Sequence, residues 1–250
     1  MLDELARDLT VALDPAAFAR QVDLPPDGWQ ADFLRSEETR ILLNCSRQAG
    51  KSTVTALLAV HAALYEPGAL VLLLSPSLRQ SQELFRKALD TYRALEHPVP
   101  VEAESALRLE LTNGSRIVSL PGKEQTVRGF SGVRLLAIDE AARVSDELYF
   151  AIRPMLAVSR GRLVALSTPF GTRGWWYEAW RSPEPWARFR IPAEECPRIS
   201  CEFLEEERRT MGEWWFAQEY GCEFLDAETQ PFRREDVDRA FEEEVEAWAL

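Results

Sequence analysis

Apolar residues in this chain fall into short unbroken runs separated by longer amphipathic stretches, and that alternation predicts strands and helices in turn. Ile41-Leu42-Leu43, Leu70 to Leu74, Leu135 to Ile138 and Leu163 to Leu166 are apolar at every position. Such runs suit central parallel strands covered on both faces. Leu107 to Leu111 alternates instead, Asn113-Gly114 is a hairpin turn, and Ile117 to Leu120 returns. Between the runs lie helical signals. Val54 to Val60 is apolar and free of Gly and Pro, Ser77 with Gln80 opens a helix towards Glu96, and Ser145 or Asp146 caps one to about Met155. Strands alternating with helices predict an α/β fold, a mostly parallel central sheet flanked by helices.

The ends read differently. Leu2 to Leu13 is weakly helical, a Pro-containing linker runs to Asp27-Gly28, and Trp29 to Leu34 forms a short amphipathic helix before the first strand. From Phe170 the chain turns aromatic, with Trp175, Trp176, Trp180 and Trp186 in a Gly/Pro-bounded region. Beyond Pro192 it is acidic and helical, Ser200 capping Phe203 to Met211 and Gly212 opening Glu213 to Tyr220. The expected organisation is an N-terminal segment (1–28), a core (29–169), a small subdomain beside the sheet (170–226) and an acidic tail or linker (227–250). No internal repeat is visible.

At 250 residues the apolar content is ample for a core, and no apolar run approaches the ~18 residues of a membrane span. The acidic opening Met1-Leu2-Asp3-Glu4 does not read as a signal peptide. Cys45, Cys196, Cys201 and Cys222 share no metal-ligand spacing with one another or with His61 and His97, so they read as reduced thiols. The net charge of −12 is unevenly placed: residues 1–191 carry 23 basic and 23 acidic side chains, residues 192–250 six and 18. A neutral body with an acidic end leaves room for a basic face, so nucleic acid is not excluded as a partner.

The chemistry begins at Asn44 to Thr53, where a strand signal turns into a helix through Ser46-Arg47-Gln48-Ala49-Gly50-Lys51-Ser52. That is the layout of a phosphate-binding P-loop, which sets backbone N–H groups and the positive end of a helix against an anion. Lys51 would reach the β- and γ-phosphates of ATP and the Ser52 hydroxyl would ligate Mg²⁺. Cys45 stands where the pattern wants its first glycine, so only Gly50 and the small Ala49 and Ser46 keep the turn open.

Asp139 ends an apolar strand, where a carboxylate can serve Mg²⁺, and Glu140 can orient or deprotonate an attacking water. Ser167-Thr168 ends the next strand at the same edge and could sense the γ-phosphate, although Ser-Thr-Pro is also ordinary turn chemistry. Arg47 lies inside the loop. Arg128 sits in a Gly-flanked stretch from which a guanidinium could stabilise a transferring phosphoryl on a neighbouring subunit; the plainer reading is a surface arginine. Gln30 can pair with both edges of adenine, whereas Trp29 is as well explained as a core aromatic.

The P-loop of the form Ser-Arg-Gln-x-Gly-Lys-Ser, Asp139-Glu140-Ala141-Ala142, Ser167-Thr168-Pro169-x-Gly171 and the late run Phe216 to Phe224, in this order, closely resemble the large terminase subunit of tailed bacteriophages over about residues 28–226. The resemblance implies a P-loop NTPase of the ASCE/RecA-like type, the ATPase part of a DNA-packaging motor. It implies ATP and Mg²⁺ as cofactors, with Gln30, Ser46, Arg47, Gln48, Ala49, Gly50, Lys51, Ser52 and Thr53 around the nucleotide. Ser52 and Asp139 would hold the metal, Glu140 would be the catalytic base and Ser167-Thr168 the coupling motif. Arg128 would be a trans-acting finger, with Arg47 a rival acting in cis, and 170–226 the lid. Implied partners are double-stranded DNA, the portal protein, the small terminase subunit and further copies in a ring, expected to be a pentamer, in the cytoplasm of the infected bacterial host, with no membrane. The hairpin at Asn113 and arginines such as Arg79 and Arg86 are candidate DNA contacts. The family's RNase H-like nuclease domain has no room before Leu250, so either a truncation or an ATPase-only protein is expected, without DNA cleavage. The alternatives are a superfamily-2-like helicase core and a nucleotide-binding regulatory protein that does not hydrolyse.

Overall fold

A computed structural model describes residues 2–96, 98–122, 127 and 129–226, apart from the side chains of Leu2 and Glu4. The four apolar runs are strands β1 (Arg40–Cys45), β2 (Leu70–Ser75), β6 (Val133–Asp139) and β7 (Arg162–Ser167). The hairpin is β4 (Arg108–Leu111) and β5 (Arg116–Pro121). Two further strands, β3 (Val101–Ser105) and β8 (Ala187–Ile191), had no clear apolar signal, and β3 is exposed along its whole length. The sheet order is β3-β4-β5-β2-β6-β7-β1-β8. From β5 to β8 all pairings are parallel, while β3 and β4 add an antiparallel edge.

Alternate residues of the parallel strands feed two cores, as the pleat requires. In β2, Val71 and Leu73 face one cluster while Leu70, Leu72 and Leu74 face the other. The first cluster lies under helices α3 (Gly28–Arg35), α4 (Lys51–Tyr65) and α5 (Leu78–Arg93). The second lies under α6 (Asp146–Ile152) and α7 (Gly174–Arg181), where the Trp175 and Tyr149 rings stack 3.8 Å apart. Helix α4 is buried on nearly every side, which explains why its sequence is apolar all round rather than amphipathic. Ser77 caps α5 and Ser145 caps α6 by accepting from Gln80 and Leu148 N–H groups.

The N-terminal stretch is helical twice over, in α1 (Leu2–Leu13) and α2 (Pro15–Gln21). The second was not foreseen; Asp14 caps it and Pro15 starts it. Phe18 of α2 is fully buried in the first core cluster.

Residues 170–226, read as a subdomain beside the sheet, contribute β8 to the sheet itself, in register with β1. They end in α8 (Cys201–Glu219), which breaks at Gly212 (φ 81°, ψ 164°) as the sequence suggested. The tail 227–250 lies outside the described residues.

The turn into β7 is tight. A methyl group on Gly161 would stand 1.9 Å from the Val133 carbonyl oxygen and 3.0 Å from that of Arg134. Gly161→Ala is therefore expected to lower stability by about 1–3 kcal/mol through forced backbone movement. A urea midpoint equal to wild type would contradict this packing.

Candidate nucleotide-binding site

Because β1, β6 and β7 run parallel, their carboxyl ends share one edge. The register places Asp139 opposite Leu166 and Asn44 opposite Ser167, so three strand-to-turn junctions meet there. After β1 the chain leaves the sheet through Ser46 to Gly50 and enters α4 at Lys51. Two left-handed residues make that turn, Gln48 (φ 61°) and Gly50 (φ 88°). The left-handed backbone at position 50 favours glycine, and a Cβ there would also press on Gln30 Nε2 at 2.8 Å. The first N–H groups of α4 have no partner within the helix and face the turn.

Across this turn the chemistry assembles. Ser52 Oγ donates to Asp139 Oδ2 at 3.2 Å, and the Glu140 N–H donates to Asp139 Oδ1 at 3.0 Å. Lys51 is buried, with Nζ 3.9 Å from Glu140 Oε1. Glu140 adopts a left-handed backbone (φ 50°, ψ 44°), which is uncommon for a side chain of its size and turns it out of the strand direction. Asp139 is almost wholly buried. Burial pushes its carboxyl above the usual carboxylate range, as does the neighbouring Glu140, while Lys51 and the two hydrogen bonds act the other way. A hydroxyl beside a buried, under-compensated carboxylate is a hard-oxygen pair that fits Mg²⁺.

The remaining expected residues gather here. Ser46 and Ala49 are fully buried in the turn, and Arg47 and Gln48 are exposed on it. Thr53 lies in the first turn of α4. Ser167 Oγ accepts from the Ala142 N–H at 3.2 Å, tying its strand end to the turn that carries Glu140, and Thr168 is buried beside it. Gln30 is buried and donates from Nε2 to the Ala49 carbonyl at 3.4 Å. Arg128 lies outside the described residues.

Sequence reasoning missed how the C-terminal part grips the loop. Arg47 is ion-paired to Glu219, and its N–H donates to the Glu219 carbonyl at 3.1 Å. The Ser46 N–H donates to Ile191 O and Asn44 Nδ2 to Cys222 O. The guanidinium of Arg198 donates to the Ala49 carbonyl at 2.8 Å and approaches Asp27 within 2.6 Å. Its one available signal was being the lone basic residue between Pro192 and Glu207. Burial drives the Cys45 thiol far up and Cys222 up to about 12, so both remain protonated packing groups. A cavity of about 550 Å³ lies at the opposite edge of the sheet, lined by the ion pairs Arg35–Asp14 and Arg134–Glu66, away from this machinery.

Residues 42–239 match the family described as terminase large subunit, T4likevirus-type, N-terminal. This chain belongs to the terminase large-subunit family. The large terminase subunits of Thermus phage G20c and Thermus virus P23-45 are each 26% identical to it over 85% of its length and 51% of theirs. The chain thus spans about half the length of the curated relatives it matches. Among solved structures, the large terminase ATPase domain of Thermus phage P74-26 superposes with a TM-score of 0.74 at 25% identity, covering 83% of this chain and 97% of that one. The large terminase of a thermophilic bacteriophage, solved in complex with ADP, shares the fold (TM-score 0.65, 12% identity, 86% and 53% covered). Within the large terminases, this chain therefore carries the stretch that in the P74-26 protein forms the ATPase domain, and the helicase alternative gives way. Among the described residues no helix is long and apolar enough to cross a membrane.

A carboxyl held above its ordinary pKa stabilises the fold while protonated, and that contribution is lost as pH rises through its folded value. Asp139→Asn is accordingly expected to stabilise the nucleotide-free protein at neutral pH, on the order of 1 kcal/mol, while removing Mg²⁺-dependent turnover. Thermal melts at pH 7 without metal measure the first effect; a lowered Tm would contradict it.

Proposed function

We propose that this chain hydrolyses ATP and that hydrolysis drives double-stranded DNA into a viral procapsid. The observation that carries the reading is the contact between Ser52 and Asp139, with Lys51 and Glu140 directly beside it. Four groups from two distant segments meet there, and they are of the kinds that phosphoryl transfer from a nucleotide calls for. The ADP complex of the thermophilic phage's large terminase supports nucleotide binding by this family.

In this reading the loop N–H groups and Lys51 hold the β- and γ-phosphates, and Gln30 faces the base. Ser52 and Asp139 would hold Mg²⁺, which when bound neutralises charge on the phosphate oxygens. Glu140 accepts a proton from the attacking water. Lys51, now near Glu140, would move to the phosphates once they arrive. Arg47 is held by Glu219 through Nε, so a cis-acting role for it would use its two terminal nitrogens or a swing away from Glu219. Ser167-Thr168 would pass the state of the Glu140 turn to the neighbouring strand through the Ala142 N–H. Arg128 is assigned the trans-acting finger. Residues 170–226 serve as the lid, attached to the loop by the contacts of Arg47, Ser46 and Asn44. The partners in this reading are double-stranded DNA, the portal protein, the small terminase subunit and further copies of this chain in a pentameric ring, acting in the host cytoplasm.

Glu140→Gln is expected to reduce ATP turnover about 10²–10⁴-fold while leaving nucleotide binding in place. Equal turnover by this variant and wild type would remove Glu140 from its role. Mixing Glu140→Gln with Arg128→Ala subunits at assembling concentrations is expected to recover part of the activity, because a Glu140→Gln subunit can lend its Arg128 to the intact site of an Arg128→Ala neighbour. No recovery would contradict a finger acting between subunits.

A further inference from the structure

We infer that Arg198 locks the amide of Gln30 against the P-loop and thereby sets the base preference of the nucleotide site. This rests on the nucleotide-binding reading above. Gln30 Oε1 accepts from the Asp27 N–H at 3.0 Å, and its Nε2 donates to the Ala49 carbonyl at 3.4 Å. A carboxamide has two acceptor lone pairs and two N–H donors, so one of each is left over. That pair matches the amino group and N7 of adenine, whereas guanine offers two acceptors on the same edge. Rotating the amide by half a turn would exchange donor for acceptor. Its orientation therefore depends on keeping the Asp27 N–H on one side and the Ala49 carbonyl on the other.

Those two groups belong to different segments, the start of α3 and the P-loop, and the 3.4 Å bond from Gln30 is a weak tie between them. Arg198 supplies the stronger one. Its Nη2 donates to the Ala49 carbonyl at 2.8 Å, while Nη1 stands 2.6 Å from Asp27 Oδ2, an ion pair outside hydrogen-bond angles. A third, longer contact runs from Nη2 to Cys196 Sγ at 3.7 Å. The planar fork reaches the two acceptors from two separate nitrogens in a fixed geometry, which the compact ammonium of a lysine does not reproduce. Gly50 leaves the space in which this happens, since a Cβ there would lie 2.8 Å from Gln30 Nε2 and 3.1 Å from Arg198 Nη2. Arg198 touches no phosphate-binding side chain in this arrangement. It is a positioning residue, acting on the base through Gln30, and it follows β8, so the lid region carries part of the base-recognition apparatus.

Steady-state hydrolysis of ATP and GTP by wild type, Arg198→Ala, Arg198→Lys and Asp27→Asn tests this. Arg198→Ala is expected to lower the ratio of KM for GTP to KM for ATP about tenfold, by raising KM for ATP, with kcat for ATP changed less than about twofold. Arg198→Lys should recover little of the ratio. Asp27→Asn keeps a good helix cap but loses the ion pair, and should move the ratio in the same direction. It carries the measurement if Arg198→Ala does not fold. An unchanged ratio in these variants, or equal loss towards both nucleotides through kcat, overturns the inference. A wild type that binds neither nucleotide and hydrolyses neither refutes the ATPase reading and this inference with it, whereas an active wild type with an unchanged ratio refutes this inference alone.

Discussion

Ser52 and Asp139 are 87 residues apart and meet because parallel strands end together. The helix-first turn after β1 and the acidic turn after β6 can face each other only if both strands point the same way in one sheet. The intervening β7 sets their spacing, and its own end brings Ser167 to the same edge. Among the described residues, the groups of the candidate site gather at that shared edge. The cavity at the opposite edge is lined by the ion pairs Arg35–Asp14 and Arg134–Glu66, together with Glu37, Glu38, Arg160 and Arg162.

Asp139 illustrates how such a site is kept. A carboxylate buried at a strand end is costly, and the fold offsets only part of that with two hydrogen bonds and the nearby Lys51. The residual cost is tolerable because the surrounding strands are packed on both faces and do not depend on Asp139. Glu140 carries a second, smaller cost in its left-handed backbone, held by the short 3-10 turn from Ala141 to Arg143. Local strain and local charge are therefore concentrated at two adjacent residues at the end of β6, where a cation would offset the negative charge.

The loop itself is braced from behind by the last third of the chain. Arg47, Ser46, Asn44 and Ala49 are each bonded to residues between Ile191 and Cys222. This arrangement also explains the missing first glycine. Cys45 is still a strand residue, paired with Ile191 of β8, and the left-handed positions come later, at Gln48 and Gly50. A side chain at position 45 points into the core and costs the turn nothing.

The four apolar runs, the hairpin at Asn113-Gly114 and the caps at Ser77 and Ser145 were legible in the sequence, because burial on both faces and turn chemistry leave local traces. So were Lys51, Ser52, Asp139 and Glu140, because their spacing from strand ends is itself local. What the sequence could not show was β3 or β8, whose alternations Val-Glu-Ala-Glu-Ser and Ala-Arg-Phe-Arg-Ile are too short to stand out. Nor could it show the partners of Arg47 and Arg198. Charged side chains on a solvated surface look alike in a sequence, and which of them meets a carbonyl or a carboxylate is decided only when β8 and α8 close over the loop. Local pattern determined the elements and the candidate site residues; long-range packing decided which groups hold the loop in place.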